Sequence, residues 1–330
     1  MKKTKKSETP YDLIELLLEE DLSDFNRLMI QRLGSDIRLI NQISEHIISS
    51  GGKKLRPIVT MLTSRAVNPD SSKHILAALI IELIHTATLL HDDVVDNSML
   101  RRGQSTANTK FGPDASVLVG DFLYSRSFQL MTELNDERFI KLMSDATNTI
   151  AEGEVMQLMH SHNPDLNEAS YMQVIFRKTG ALFSAAAKGS ALINNQDTKI
   201  CDALGDYGRY LGNAFQLIDD CLDYSAQSDV LGKNIGDDLA EGKNTLPLIV
   251  AQKRGSAGEK NLIKEALTNG NIDNLKSICL IVESTAALDY CYKKAEKQIH
   301  QSLASLSVLK PSNYKDALEN LAISSLERIY

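Results

Sequence analysis

Tryptophan is absent from this 330-residue sequence, and the aromatic residues together make up only 5% of it. Glycine and proline, with 18 and 7 residues, are also used sparingly. Because all-β folds need many turns and draw on aromatic and β-branched residues, this composition disfavours them. The length alone leaves either one large domain or two ordinary domains open.

Positive charge is in the minority, since 36 Lys and Arg stand against 43 Asp and Glu, a net charge of −7. A protein that binds DNA or RNA usually carries a basic patch or stripe, so we expect no nucleic-acid partner. Cysteine is scarce too, and its spacing matches neither a CxxC metal pair nor a compact disulfide framework. The four cysteines are Cys201, Cys221, Cys279 and Cys291. We therefore expect a reducing, cytoplasmic setting.

Long uninterrupted hydrophobic runs are missing as well. Lysines near the N-terminus precede an apolar stretch that Asp12 and Glu15 interrupt, which does not fit a secretory leader. The most apolar segment, residues 75–90, contains Glu82 and His85 and is shorter than the roughly 20 uncharged residues that cross a bilayer. We expect this segment to form a buried helix.

Apolar residues recur at helical spacing, for example Leu76, Ile80, Leu83, Ala87 and Leu90. Polar, glycine-containing or proline-containing breaks separate such segments. We expect these breaks at residues 68–72, 103–115, 161–170, 194–198, 225–245, 255–258 and 269–273. No break resembles a long interdomain linker, and no repeat occurs. The sequence predicts one all-α domain over residues 1–330, frayed at about residues 1–10.

Two acidic motifs with the pattern DDxxD are present: DDVVD, from Asp92 to Asp96, and DDCLD, from Asp219 to Asp223. On a helix, the first and last carboxylates of each motif lie on the same face. Like charges at that spacing destabilise a helix unless a cation binds them. Carboxylates without His or Cys suit Mg²⁺, which completes its shell with water and phosphate. The alternative is a solvated acidic face.

Basic residues that can hold a phosphate ester accompany these motifs. The segment GGKKLRP places Lys53 and Arg56 at a helix start, and Arg101 and Arg102 closely follow the first motif. His85 lies two helical turns before the first aspartate, on the same side of that helix. Taken one by one, a solvated helix start, a surface arginine pair and a core histidine explain these residues equally well.

Motifs of several other enzyme classes are missing. The sequence contains no GxGxxG, GxxxxGK[ST], HExxH or GxSxG. Dinucleotide, P-loop, zinc-protease and serine-hydrolase chemistry therefore have no motif to support them. The chemistry that remains is that of metal ions and phosphate.

Together, the segments GGKKLRP, HDDVVDNSMLRRG, GEVMQL, KTG, FQLIDDCLDY and GKNIGDDLAEGK resemble the trans-polyprenyl diphosphate synthases. The resemblance covers about residues 51–247. It implies an all-α isoprenoid-synthase helical bundle, usually a homodimer, whose two DDxxD helices face each other across a deep central cavity. Gly180 departs from the family pattern, which more often has alanine there. A terpene cyclase would carry a different second metal motif, and no EF-hand loop surrounds either acidic cluster.

The resemblance also implies a role for each matching residue. The implied ligands of three Mg²⁺ ions are Asp92, Asp96 and Asp219, which with Lys178 and Lys233 form the catalytic set. The implied supporting or water-mediated carboxylates are Asp93, Asp220 and Asp223, and Asp237 is expected near the metal ions. The implied donors to the allylic diphosphate are Arg101, Lys178, Thr179, Gln216 and Lys233. Those implied for isopentenyl diphosphate are Lys53, Arg56, His85 and Arg102, with Phe215 bordering that pocket.

These roles imply a prenyltransferase that repeatedly condenses isopentenyl diphosphate onto an allylic diphosphate, with farnesyl diphosphate as the expected starter. Ala87 and Thr88 are small where short-chain members carry aromatic rings, so we expect a long product. The resemblance implies an about octaprenyl chain, used for the side chain of ubiquinone. The alternatives are a shorter or longer product and the non-catalytic subunit of a heteromeric synthase. The expected partners are the two substrates, a second copy of the chain, and a membrane in transient contact during product release.

Overall fold

The structure is a computed structural model and describes residues 9–49, 51–101, 103–225 and 236–326. Two residues with implied roles, Arg102 and Lys233, lie outside the described residues, as do the lysines at the N-terminus. Nearly every described element is a helix, which confirms the predicted all-α class.

Helices follow one another along the whole described chain. The first half contains α1 Pro10–Leu17, α2 Glu19–Leu33, α3 Arg38–Ser49, α4 Leu55–Val67, α5 His74–Val95, α6 Ala107–Phe111, α7 Pro113–Leu134 and α8 Glu137–His160. The second half contains α9 Glu168–Ile175, a π-helix Phe176–Gly180, α10 Ala181–Ile193, α11 Thr198–Leu222, α12 Asp237–Ala240, α13 Leu246–Arg254, α14 Ala257–Asn269, α15 Leu275–Ser284, α16 Ala287–Ser305, a 3₁₀ turn Leu306–Val308 and α17 Asn313–Leu326. The β-structure in the described part is one antiparallel hairpin, β1 Leu100–Arg101 and β2 Gln104–Ser105.

The predicted breaks agree with the helix ends, and two of them contain structure of their own. The range 103–115 holds β2 and α6. Of the range 225–245, residues 226–235 lie outside the described residues, and α12 lies in the part that follows them.

Other helix ends were not among the predicted breaks, for example those at Leu18, at residues 34–37 and at residues 135–136. The break between α15 and α16 has no signal in the sequence, because it is formed by Ala286 in a left-handed conformation with φ of 50°. Of the fray expected at about residues 1–10, residues 1–8 lie outside the described residues. Thr9 and Pro10 are described, and the Thr9 side chain accepts the N–H of Asp12 and caps α1.

The helix α5 lies in the middle of the bundle. It packs against α7 and also contacts α2, α4 and α10, so the buried helix expected at residues 75–90 is confirmed. Among the described helices, α5 alone is long and apolar enough to cross a membrane, judged by length and composition. Its burial within the bundle accounts for that composition. Buried apolar residues from Ile14 to Ala322 belong to one core cluster.

Glycine allows α11 to approach α10 and the π-helix closely. A Cβ on Gly208 would lie 2.1 Å from the carbonyl oxygen of Phe183, and a Cβ on Gly212 would lie 2.8 Å from the Cα of Gly180. Such distances are shorter than van der Waals contact, so larger residues would push the helices apart. The close packing holds the second acidic motif, at the end of α11, beside the Lys178-Thr179 pair.

A buried charge cluster ties α2 to α4 and α5. Asp21 accepts hydrogen bonds from Arg65, at 2.5 and 3.0 Å, and from Nε2 of His74, at 2.9 Å. Burial alone would raise the pKa of Asp21, but these donors outweigh it and lower the pKa to about 2. The ionised carboxylate therefore stabilises the folded state at neutral pH.

We expect Asp21→Asn to lower the free energy of unfolding by about 3 kcal/mol, because it breaks a buried ion pair from one side. Because the folded pKa is depressed, the contribution is present above the unfolded pKa near 4 and is lost as pH falls through about 2. Denaturant unfolding at pH 7 and pH 2 measures both effects, and the gap between wild type and variant should close at pH 2. Asp24→Asn, in an exposed pair on the same helix, is the control and should change stability little.

Candidate active site

The first acidic motif ends α5, and lysines neutralise its outer carboxylates. Nζ of Lys178, from the π-helix, lies 3.6 Å from Oδ2 of Asp92. Nζ of Lys243, which follows α12, lies 3.0 Å from Oδ2 of Asp96. Both aspartates are half-buried. The like-charge repulsion expected from their spacing is thus relieved here by two cations from distant parts of the chain.

Each of these lysines is shared with a glutamate to which the sequence analysis assigned no role. Lys178 lies 2.8 Å from Oε2 of Glu154 on α8, and Lys243 is paired with Glu241. Burial raises the pKa of both glutamates, while their lysines oppose it. For the two lysines, burial acts in the opposite direction and lowers the pKa. The surrounding carboxylates outweigh burial, so the pKa of each lysine is raised above its usual value. When all are ionised, four carboxylates surround two lysines, so the site carries an excess of negative charge.

Asp93, the second carboxylate of the first motif, contacts an arginine and not the two lysines. Asp93 is buried and accepts two hydrogen bonds at Oδ1 from Arg101 on β1, at 2.9 and 2.7 Å. Burial raises the pKa of Asp93, and Arg101 opposes the shift. The implied supporting role of Asp93 is therefore an indirect one, since it fixes the arginine that follows its own helix.

In the second motif, at the end of α11, the structure separates Asp219 from its two companions. Asp219 is half-buried, whereas Asp220 and Asp223 are buried. Both oxygens of Asp220 accept hydrogen bonds from side chains, Tyr171 on α9 and Gln216 on α11. Asp223 accepts the backbone N–H groups of residues 236, 237 and 238, at 3.1, 3.2 and 3.1 Å, and so holds the start of α12. Exposed Asp237 belongs to this segment.

The π-helix brings the two motifs together. Lys178 reaches Asp92 on α5, and the next residue, Thr179, donates a hydrogen bond of 2.9 Å to Oε1 of Gln216 on α11. Gln216 in turn donates one of 2.7 Å to Asp220. Because two successive residues contact the two motif-bearing helices, those helices face each other here, as the resemblance implied.

The departure at Gly180 has a steric explanation. A Cβ at this position would lie 2.5 Å from Oδ1 of Asn213 on α11 and 3.1 Å from the ring of Phe176. The Asn213 side chain thus occupies the space that an alanine methyl group would need. Glycine in KTG and asparagine on α11 are complementary in this chain.

Three of the residues implied for isopentenyl diphosphate form a continuous group. Arg56 and His85 are joined by a hydrogen bond of 3.0 Å between NH1 and Nε2. The Arg56 guanidinium stacks on Phe183, 4.5 Å from the ring centroid, and that ring is 6.1 Å from the ring of Phe215. Lys53 lies in the exposed turn before α4, where its carbonyl oxygen accepts a hydrogen bond from the Tyr11 hydroxyl.

A cavity of about 100 Å³ lies beside α5, on a face of the helix other than the one that carries Asp92 and Asp96. Leu83, Thr86 and Leu90 contribute to its lining from α5, and further apolar side chains come from α2 and α3. His85, Asp93 and Arg101 also border it. The cavity therefore adjoins the site but is not lined by the outer carboxylates of the first motif.

The donor set of the site fits Mg²⁺. Within the described ranges, no three His, Cys, Asp or Glu side chains are gathered into a ready-made metal site. Magnesium is usually held by one or two carboxylates together with water and substrate phosphates. Asp92 and Asp96 on one helix, and Asp219 on the facing one, offer oxygen donors of that kind.

Comparison with known proteins places this geometry in a family. The family model described as polyprenyl synthetase matches residues 37–282. An octaprenyl diphosphate synthase from Haemophilus influenzae is 45% identical, over 97% of this chain and 97% of its own length. A geranyl-diphosphate-specific all-trans-nonaprenyl-diphosphate synthase from Rhodobacter capsulatus is 42% identical, over 94% of this chain and 95% of its own length. The crystal structure of a Caulobacter crescentus polyprenyl synthase complexed with calcium and isoprenyl diphosphate matches with a TM-score of 0.93 at 40% identity, covering 98% of this chain and 99% of that one.

Prenyl synthases of this kind use isopentenyl diphosphate and an allylic diphosphate and are generally Mg²⁺-dependent. The match extends across the acidic motifs, the Lys178-Thr179 pair and the Arg56 and His85 group, so it includes the site as well as the bundle. The chain therefore belongs to the polyprenyl synthetase family and is a prenyltransferase of isoprenoid biosynthesis.

Proposed function

We propose that this enzyme makes octaprenyl diphosphate by repeated addition of isopentenyl diphosphate to farnesyl diphosphate, for the side chain of ubiquinone. The observation that carries the proposal is the contact of Lys178 and Lys243 with Asp92 and Asp96 of the first motif, next to a second motif that is linked to the same π-helix through Thr179 and Gln216. Together these groups form a site for a metal-bound diphosphate. The octaprenyl length is supported by the 45% identical synthase of Haemophilus influenzae. The small residues Ala87 and Thr88 support a long product in general.

The proposed roles in the allylic half of the site follow from charge. Asp92, Asp96 and Asp219 would hold three Mg²⁺ ions, which when bound neutralise the charge that develops on the leaving diphosphate. Lys178 and Lys243 already lie among the carboxylates, so they can donate to the same diphosphate with little reorganisation. Arg101 and Lys233 complete this set. The complex of the Caulobacter synthase with calcium and isoprenyl diphosphate supports such an arrangement.

The proposed second half of the site binds isopentenyl diphosphate. Arg56 and His85, already hydrogen-bonded to each other, would hold its diphosphate together with Lys53 and Arg102. The rings of Phe183 and Phe215 border this region and keep water from the reacting carbons. Holding the double bond beside the allylic carbon makes the condensation effectively unimolecular. One carbon–carbon bond forms, diphosphate leaves and one proton is released.

Incubation with radiolabelled isopentenyl diphosphate, farnesyl diphosphate and Mg²⁺, followed by separation of the products by chain length, tests the proposal. We expect an octaprenyl product that requires Mg²⁺. A shorter or longer chain would revise the length alone, whereas no product from the pure protein would favour a non-catalytic subunit. A parallel incubation with geranyl diphosphate tests the starter, because the Rhodobacter nonaprenyl synthase is geranyl-diphosphate-specific.

The two arginines after the first motif should affect different substrates. We expect Arg102→Ala to raise the KM for isopentenyl diphosphate by about tenfold or more, because a charge-assisted hydrogen bond contributes roughly 1.5–3 kcal/mol. Arg101→Ala should instead raise the KM for the allylic diphosphate. Steady-state kinetics with one substrate saturating separates the two, and equal effects on both substrates would contradict this division.

The proposed assembly is a homodimer in the cytoplasm that contacts a membrane transiently to release its product. Exposed apolar side chains on α7 and α8 support an interface with a second copy: they are Val117, Leu118, Phe128, Val155 and Leu158. The four cysteines are free, which suits a reducing compartment. Light scattering should give twice the chain mass of 36.5 kDa, and flotation with vesicles that contain octaprenyl product tests the membrane contact.

A further inference from the structure

The carboxyl group of Asp220 is enclosed by the protein. Asp220 is 4% exposed; its Oδ2 accepts a hydrogen bond of 2.5 Å from the Tyr171 hydroxyl and its Oδ1 one of 2.7 Å from the Gln216 amide. Because a buried carboxyl group is costly without hydrogen-bond donors, Tyr171 and Gln216 determine how Asp220 is oriented.

The neighbouring carboxylate, Asp219, has a different environment. Successive side chains on a helix diverge by about 100°, so Asp219 cannot share the surroundings of Asp220. Asp219 is half-buried while Asp220 is buried. Both belong to the same turn of α11, and any rotation of that turn that displaced Asp220 would also turn Asp219. The hydrogen bonds that hold Asp220 therefore also fix the direction in which the Asp219 side chain points.

The hydroxyl group that holds Asp220 comes from Tyr171, on a separate helix. Tyr171 lies on α9, is 3% exposed, and precedes the π-helix that carries Lys178 and Thr179. Thr179 donates a hydrogen bond to Gln216, which donates one to Asp220. Tyr171 on α9 and Thr179 on the π-helix are thus both connected by hydrogen bonds to the second motif. The network thereby couples the placement of the second motif to the segment that reaches the first.

We propose that Tyr171 is a positioning residue for the second acidic motif: its hydroxyl holds Asp220 so that Asp219 presents its carboxylate to a Mg²⁺-bound diphosphate. This inference rests on the proposed function and gives Tyr171 no contact with substrate. Loss of a residue that orients metal ligands typically lowers metal affinity or activity by about 10- to 100-fold.

Tyr171→Phe keeps the ring and removes the hydroxyl. With inorganic diphosphate as the probe, calorimetry at increasing Mg²⁺ should show the half-saturating Mg²⁺ concentration rising about tenfold in the variant. We expect kcat to fall by about as much, while the KM for isopentenyl diphosphate stays unchanged because Arg56 and His85 are not altered.

Tyr207→Phe is the matched control. Tyr207 lies on α11, is fully buried, and donates a hydrogen bond of 2.9 Å to the carbonyl of Leu318. The control loses a comparable buried hydroxyl on the motif-bearing helix, so it should lower the melting temperature without moving the Mg²⁺ midpoint. A purely structural effect of Tyr171 would make the two variants alike.

The outcomes separate this inference from the function on which it rests. If the wild type binds no diphosphate in a Mg²⁺-dependent way, the proposed metal site fails, whatever Tyr171 does. If the wild type binds diphosphate in a Mg²⁺-dependent way, and Tyr171→Phe has the same half-saturating Mg²⁺ concentration as Tyr207→Phe, the positioning role of Tyr171 is wrong. In an Asp220→Ala background, Tyr171→Phe should add no further shift, and an additive shift would overturn the proposed route through Asp220.

Circular dichroism checks that Tyr171→Phe folds. If it does not, Asp220→Asn replaces it, because asparagine keeps the shape of the side chain while disturbing its pair of donors. We expect the same rise of about tenfold in the half-saturating Mg²⁺ concentration. An unchanged midpoint in folded Asp220→Asn would overturn the inference.

Discussion

Asp92→Ala should lower kcat by about a thousandfold or more while the protein stays folded, because a metal ligand stabilises developing charge by several kcal/mol and each 1.36 kcal/mol is roughly tenfold in rate. That stabilisation acts mainly as the allylic carbon–oxygen bond ionises, so the loss should appear in kcat. Lys178 keeps its contact with Glu154, 2.8 Å away, so the substitution does not release the lysine. Initial rates together with circular dichroism measure both expectations.

Asp219→Ala, on the facing helix, should have an effect of similar size. Asp202→Ala provides the control on the same helix, since Asp202 is exposed and pairs only at the surface with Lys188. The control should retain the wild-type rate within about a factor of two. Near-normal turnover in either Asp92→Ala or Asp219→Ala would contradict the metal-binding role of that residue.

A second large effect is expected on product length. Ala87 lies five residues before Asp92, about 7.5 Å along the helix axis from the first motif. We expect Ala87→Tyr to shorten the product to about three or four isoprene units, because its ring would meet the growing chain at that depth. Ala87 is fully buried, so the added volume should also cost about 1–3 kcal/mol of stability. A melting curve should therefore first show that the variant is folded, and its products are then separated by chain length.

The adjacent positions supply matched variants. Thr88 is half-buried and one residue nearer to Asp92, so Thr88→Tyr should also shorten the product, at a lower cost in melting temperature. Thr86 lines the cavity on the other face of α5, and Thr86→Tyr should leave the product at full length. A shortened product from Thr86→Tyr would place the growing chain in that cavity. Full-length product from folded Ala87→Tyr would mean that length is set deeper in the bundle.

The fold was predictable because its signals are local. Apolar periodicity identified α5, and polar, glycine or proline runs marked about half of the breaks between helices. Ala286 was missed because nothing about an alanine indicates the left-handed conformation that it adopts. The β1–β2 hairpin was missed because two-residue strands leave no alternation to detect.

The candidate site was predictable only as far as its motifs. The resemblance gave roles to Asp92, Asp96 and Lys178, and the structure brings these side chains together. It gave none to Glu154 or Tyr171, because each acts on a residue far away in the sequence and an isolated Glu or Tyr on a helix has no distinguishing pattern. The contacts that reveal these roles exist only after folding.

Asp223 makes contacts that its motif does not reveal. The resemblance implies a supporting role for it beside the metal-binding carboxylates, and its oxygens accept three backbone N–H groups at the start of α12. A carboxylate in that position is a helix cap, which also interacts favourably with the helix dipole. The sequence could not separate the two uses, because residues 236–238 are more than ten positions away.

The π-helix gives the run from Glu168 to Ile193 two angular registers. A π-turn contains one residue more than an α-turn, so the side chains before and after it are offset by about 100° relative to an unbroken α-helix. Deleting one residue between 176 and 180 would produce a more regular helix, yet it would turn Tyr171 away from Asp220 or α10 away from its contact with α11. The active site therefore depends on this extra residue, because it lets Tyr171 contact Asp220 while α10 packs against α11.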